Sequence, residues 1–152
     1  MTDIIQQIAL LKIKGLGPYN CRKLMSDFNG TEQLFKEGIR IFSAKYEKRG
    51  LEIYRKIQLA KKELINAENT YLECELKNIK ICSYYDNSYP KQLKQCHDAP
   101  QLIFHSGKNT FNSSPLISIV GTRNCTEYGL KFVKQICASL KNFNVTVVSG
   151  LA

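Results

Sequence analysis

Apolar residues recur three and four apart through the first half of the chain and gather into short unbroken runs in the second. Ile4, Ile8 and Leu11 share one face of a helix over residues 3–11. Pro18 suits the first turn of a second helix, where its missing N–H costs nothing. Cys21, Leu24 and Phe28 point inward from that helix, which stops at Asn29-Gly30. Thr31 reads as the N-cap of a short helix reaching residue 37. Ile53, Ile57, Ala60, Leu64, Ala67 and Tyr71 make one stripe, which predicts a single long helix over residues 48–75.

From residue 78 the period changes. Residues 79–85 are a β-type run closed by the turn Asp86-Asn87-Ser88. Residues 91–96 allow one or two helical turns, 102–105 a short strand, and 107–115 a polar loop. Residues 117–120 and 145–148 are β-branched runs. Between them Thr126 serves as N-cap, and Leu130, Val133, Ile136, Cys137 and Leu140 follow at helical spacing. Strand, helix and strand with a right-handed crossover make the two strands parallel. Ligands of open parallel sheets sit at the carboxyl ends of the strands, where loops 121–125 and 149–152 emerge. The expected organisation is a helical domain over residues 1–75 and a sheet domain over residues 76–152.

Charge sharpens that division. The chain of 152 residues carries +9 overall. Residues 1–75 hold 13 Lys/Arg against 10 Asp/Glu, whereas residues 76–152 hold 9 against 3. A charge-mixed helical half beside a cationic sheet half points to an anionic polymer partner on the second; a generically Lys-rich protein is the alternative. The apolar runs are too short for a membrane-spanning helix. The first ten residues lack a basic segment followed by a long apolar one, so no secretory signal is expected and the expected location is cytoplasmic. The six cysteines, at 21, 74, 82, 96, 125 and 137, form no CxxC, and His97 and His105 stand at no ligand spacing from them. Reduced thiols, with no metal site and no cofactor, are the expectation. Cys125 lies near a helix N-terminus, which lowers thiol pKa, but no histidine is an obvious partner for catalysis.

Three constellations carry chemistry. Gly121, Thr122 and Arg123, with Thr126 behind them, sit in the loop before a helix N-terminus, which favours an anion. Arg123 offers a fork to a phosphate oxygen pair; an ion pair with a carboxylate elsewhere is its structural alternative. The loop is not GxGxxG and no acidic residue follows at a strand end, so a dinucleotide reading is weak. Ser149 and Gly150 form the partner loop. Gly15-Leu16-Gly17, flanked by Lys14, lies between two helices and resembles a helix-hairpin-helix element, a secondary phosphate contact; a tight αα-hairpin used for packing, or a sterile-alpha-motif-like interaction domain, is the plain alternative. Tyr84, Tyr85, Tyr89 and Phe104 offer base-stacking surfaces or, more commonly for strand aromatics, core.

VGTR at 120–123, Tyr128-Gly129 and VVSGLA at 147–152, preceded by the tract YPKQLKQCHDAPQLIFHSG at 89–107, resemble the signature of the DNA-processing protein A (DprA/Smf) family. The resemblance implies a non-enzymatic, single-stranded DNA-binding protein that loads a RecA-type recombinase during natural transformation. It implies a Rossmann-like domain behind a helical one, and a homodimer in the full-length family. It makes Arg123 the DNA-phosphate arginine and places loop 149–151 in the same pocket. Family members continue past the equivalent of Ala152, so the resemblance also implies an N-terminal portion interrupted inside that domain. Two other readings stay open: a nucleotide-processing enzyme of related fold, whose PGGxGTxxE-type stretch is absent here, and an interaction module built on the helical half.

Overall fold

The computed structural model describes residues 1–108, 111–112 and 115–150. It is an α/β protein that divides into two compact units, Met1–Gly107 and Lys108–Ala152.

The first unit opens with α1 (Thr2–Leu11), α2 (Pro18–Asp27) and α3 (Thr31–Lys36). Pro18 takes the first position of α2. Thr31 is not the cap of α3: Gly30 holds that position. The Thr31 hydroxyl is buried and lies 2.7 Å from Gln6 Oε1 and 2.5 Å from Asp3 Oδ1, tying α3 to α1 instead. A helix that the stripe did not predict, α4 (Ile39–Tyr46), follows, then a 3-10 turn at Glu47–Arg49.

The single long helix expected over 48–75 is two helices, α5 (Gly50–Lys62) and α6 (Leu64–Leu76). They break at Glu63, whose amide reaches back to Leu59 and Ala60. A straight rod of that length would run about 40 Å and overshoot a small core. Broken, it brings Ile57, Ala60 and Ala67 into the same interior, each fully buried. There they meet Ile8, Ala9 and Leu10 of α1, Leu24 of α2 and Leu34 of α3. Phe42 lies 4.7 Å from Phe28 with the rings tilted by 30° and meets Tyr54 edge-on at 5.6 Å.

The α4–α5 crossing is close because α5 begins with glycine. A Cβ on Gly50 would stand 2.4 Å from the Phe42 carbonyl oxygen and 2.6 Å from Ser43 Cα.

β1 (Lys80–Ser83) pairs antiparallel with β2 (Leu102–His105), Lys80 opposite His105 and Ser83 opposite Leu102, with the short α7 (Lys91–Lys94) between them. The compact unit extends past the change of pattern near residue 76 because this hairpin is hydrogen-bonded to α1. Gln7 Oε1 accepts from Ser83 Oγ at 3.0 Å and from Gln101 Nε2 at 2.8 Å, while Gln7 Nε2 donates to Asp3 at 2.7 Å. All three of Gln7, Ser83 and Gln101 are buried, and buried polar groups left unpaired are costly.

The second unit is β3 (Leu116–Ser118), α8 (Glu127–Leu140) and β4 (Thr146–Val148). β3 and β4 are parallel, with Leu116, Ile117 and Ser118 opposite Thr146, Val147 and Val148. The helix between them is the crossover that two adjacent parallel strands require.

Candidate nucleic-acid interface

Because β3 and β4 run parallel, the loops that leave them start from the same edge. They enclose a cleft of about 240 Å³ lined by Ile119, Val120, Gly121, Thr122, Ser149 and Gly150. Four of the six residues predicted to hold phosphate therefore meet in one place. A Cβ at Gly121 or Gly150 would touch nothing within 4 Å, so the backbone of both loops is open to an approaching ligand. Leu151 and Ala152 lie outside the described residues.

Arg123 and Thr126 are not among the cleft's lining residues. Arg123 is exposed, one residue beyond Thr122, in the turn that leads into α8. The Thr122 hydroxyl donates to the Asn124 carbonyl at 3.0 Å and shapes that turn. Thr126 caps α8 by accepting from the Gly129 amide at 3.1 Å. That bond takes up one of the donors a helix N-terminus would offer an anion. Glu127 stands in the first turn and offsets part of the positive end of the helix dipole. The attraction for an anion thus rests on side-chain cations more than on the helix end. Residues 108–152 carry five Lys/Arg against the single carboxylate of Glu127, and Arg123, Lys131 and Lys134 are all exposed.

The second predicted contact lies in the other unit. Gly15 has φ +75, a conformation in which L side chains are strained. Gly17 caps α2 with no side-chain partner for its first amides. A cavity of about 70 Å³ beside this hairpin is lined by Gly15 together with Lys23 of α2 and Arg49, Glu52 and Lys56 near α5. Lys14 is exposed and is not in its lining. Arg49 and Lys56 were invisible to the sequence reading, since only the fold brings the start of α5 to the hairpin. Lys56 is already engaged: it donates to the Gly15 carbonyl at 3.3 Å and pairs with Glu52 at 2.8 Å, and this pairing holds the Glu52 carboxyl below the usual range.

The aromatic candidates separate. Tyr89 is core, 1 % exposed, with its hydroxyl donating to the Pro100 carbonyl at 2.7 Å. Tyr84 is half-buried under two cations, Arg22 at 4.7 Å and Lys94 at 4.9 Å from its ring centre. Tyr85 and Phe104 are half-exposed. Cys21, Cys74 and Cys82 are buried free thiols, and Cys96, Cys125 and Cys137 exposed ones. Burial pushes the Cys21 thiol up to about 11, against the opposing pull of Arg22. Among the described residues, no group of three or more His, Cys, Asp or Glu side chains is placed to hold a metal ion. No helix among them is long and apolar enough to cross a membrane.

This arrangement has known counterparts in sequence. Residues 80–152 match the family described as DNA recombination-mediator protein A. That match takes in a little under half of the chain. The DNA processing protein DprA of Streptococcus pneumoniae is 33 % identical over 85 residues, covering 56 % of this chain and 30 % of the relative. The DNA processing protein DprA of Bacillus subtilis is 37 % identical over 83 residues, 54 % of this chain and 27 % of the relative. Protein Smf of Synechocystis is 28 % identical over 149 residues, 95 % of this chain and 37 % of the relative. The chain thus spans about a third of the length of these curated relatives. The DprA family match begins at β1, so it takes in the hairpin of the first unit as well as the whole second unit.

Proposed function

We propose that this chain is the DNA-binding portion of a DprA-type recombination mediator, and that it holds the phosphates of single-stranded DNA at the carboxyl edge of β3 and β4. The observation that carries the reading is the meeting of loops 119–122 and 149–150 in one cleft beside Arg123, on a unit with five cations and one carboxylate. Gly121, Thr122, Ser149 and Gly150 present their backbone and Ser149 its hydroxyl, Arg123 supplies the charge, and Thr126 fixes the start of α8. The Gly15–Gly17 hairpin, with Lys14, is a weaker second contact of helix-hairpin-helix type. β3, α8 and β4 are the βαβ core of a Rossmann-like sheet. In this reading the protein is not an enzyme. It is cytoplasmic, dimerises and hands its strand to a RecA-type recombinase. The names of its relatives, two of them DNA processing proteins, support the DNA part of the reading.

The test is a carboxylate placed in the cleft. Gly121→Glu meets no atom within 4 Å at its Cβ and leaves the fold undisturbed. It should repel phosphate and weaken binding of a fluorescein-labelled single-stranded oligonucleotide at least tenfold, the effect of about 1.4 kcal/mol. Unchanged affinity in a correctly folded Gly121→Glu protein would remove the cleft from the binding site.

A further inference from the structure

We infer that the first unit carries a separate base-stacking groove for single-stranded DNA, built by α2, the turn after β1 and the loop at residues 96–97. The inference rests on the reading of the chain as a single-strand binder, but on different residues from the phosphate cleft and on a different part of the ligand. The groove has a volume of about 490 Å³ and is widely open to solvent; Tyr19, Arg22, Lys23, Tyr84, Tyr85 and His97 are among its lining residues. Tyr19 and His97 stack at 4.5 Å with their planes 20° apart. Tyr85 meets Tyr84 edge-on at 5.6 Å. Tyr19 and Tyr85 remain 48 % and 50 % exposed, in a unit that buries Tyr89 and Phe42 almost completely.

Arg22 builds this groove rather than serving it. Its guanidinium donates to the His97 carbonyl at 2.5 Å and to the Ala99 carbonyl, and lies over the Tyr84 ring. Those three contacts fasten the 97–99 loop and the post-β1 turn to α2, and so fix the rings beside one another. Tyr85 adds a bond of 3.5 Å from its hydroxyl to the Arg22 carbonyl. The rings are held in place before any ligand arrives, which lowers the ordering cost of binding.

The charge around the rings selects the ligand class. Lys23 lines the groove, and Lys94, outside the lining, lies over the ring of Tyr84. The carboxylate in the lining, Asp27, already accepts from the Tyr46 hydroxyl; Asp98 lies next to His97 in the chain. Flat rings with cations between them match a strand whose bases expose π-faces and whose backbone is anionic. A proline-rich peptide would satisfy the rings and leave the lysines without a partner.

The experiment compares two probes on the complete 152-residue chain: a labelled oligothymidylate, and an abasic deoxyribose-phosphate oligomer of the same length. Tyr19→Ala and Tyr85→Ala should each weaken oligothymidylate binding about fivefold, the low end for loss of a stacked base, and leave the abasic oligomer unaffected. Tyr85→Trp should retain or improve binding, which separates stacking from folding. Arg123→Ala should weaken both probes alike. If Arg123→Ala is silent while the tyrosine variants act only on the oligothymidylate, the phosphate cleft fails and the groove stands. Equal losses on both probes, wild-type oligothymidylate affinity in the double tyrosine variant, or bromodeoxyuridine photo-crosslinks confined to residues 108–152 of the unsubstituted protein would each overturn the groove.

Discussion

Replacing Gly50 by alanine tests how the helical part is assembled. The added Cβ would sit 2.4 Å from the Phe42 carbonyl oxygen and 2.6 Å from Ser43 Cα, against a limit of 3.0 Å that real Cβ contacts respect. Both obstacles are backbone, so no rotamer change relieves them. The start of α5 and the middle of α4 must part by at least 0.6 Å. Phe42, fully buried between Phe28 and Tyr54, would be dragged with them. Overpacking of this kind costs about 1–3 kcal/mol. Alanine returns about 0.5–1 kcal/mol through its better helix propensity. The net loss is centred on about 1 kcal/mol, which lowers Tm by roughly 4–8 °C in a domain of this size. Gly17→Ser is the control: nothing lies within 4 Å of its Cβ, and serine is a good N-cap. Thermal unfolding followed by far-ultraviolet circular dichroism reads both. A Gly50→Ala protein with the Tm of the parent would refute the close crossing of α4 and α5.

Two further outcomes follow from the buried groups. Gln7→Leu leaves the side-chain donors of Ser83 and Gln101 without their shared acceptor, and should cost about 1–3 kcal/mol in denaturant unfolding; an unchanged midpoint would mean the hairpin does not depend on that network. Cys21 has a folded-state pKa raised to about 11 by burial, so its contribution is fully present below the unfolded thiol pKa and is lost as pH rises from there through about 11; Tm should fall across that window and fall less steeply in Cys21→Ala, and parallel pH profiles for the two proteins would contradict this.

The elements whose apolar residues keep one period were legible from the sequence. Pro18 at the start of α2, the Thr126 cap and the parallel βαβ unit appear within a residue or two of their expected positions. α4 was missed because Ile39 and Ile41 stay 40 % and 47 % exposed, leaving Phe42 as its one buried side chain and no stripe to read. The α5–α6 break was hidden for the opposite reason. The stripe continues through Glu63 because both helices face one core, and nothing in the sequence marks a breaker there. The attachment of the β1–β2 pair to α1 runs through glutamines 94 residues apart, a contact that no local pattern encodes. At the cleft, periodicity and loop position found Gly121, Thr122, Ser149 and Gly150. The competition from Glu127 and the occupied Gly129 amide emerged only from the geometry, as did the contribution of Arg49 and Lys56 to the hairpin cavity.

The central claim is that Arg123 holds a phosphate of single-stranded DNA at the carboxyl edge of the β3–β4 pair. Its most direct test is the salt dependence of oligonucleotide binding, measured by fluorescence anisotropy for the parent, Arg123→Ala and Arg123→Lys. Each phosphate contact on a single strand contributes about 0.7 to the slope of log K against log salt. Arg123→Ala should lose affinity and about 0.7 of that slope, whereas Arg123→Lys should keep most of the slope and only part of the affinity, because an ammonium lacks the guanidinium fork. Superimposable titrations for parent and Arg123→Ala at every salt concentration would contradict it.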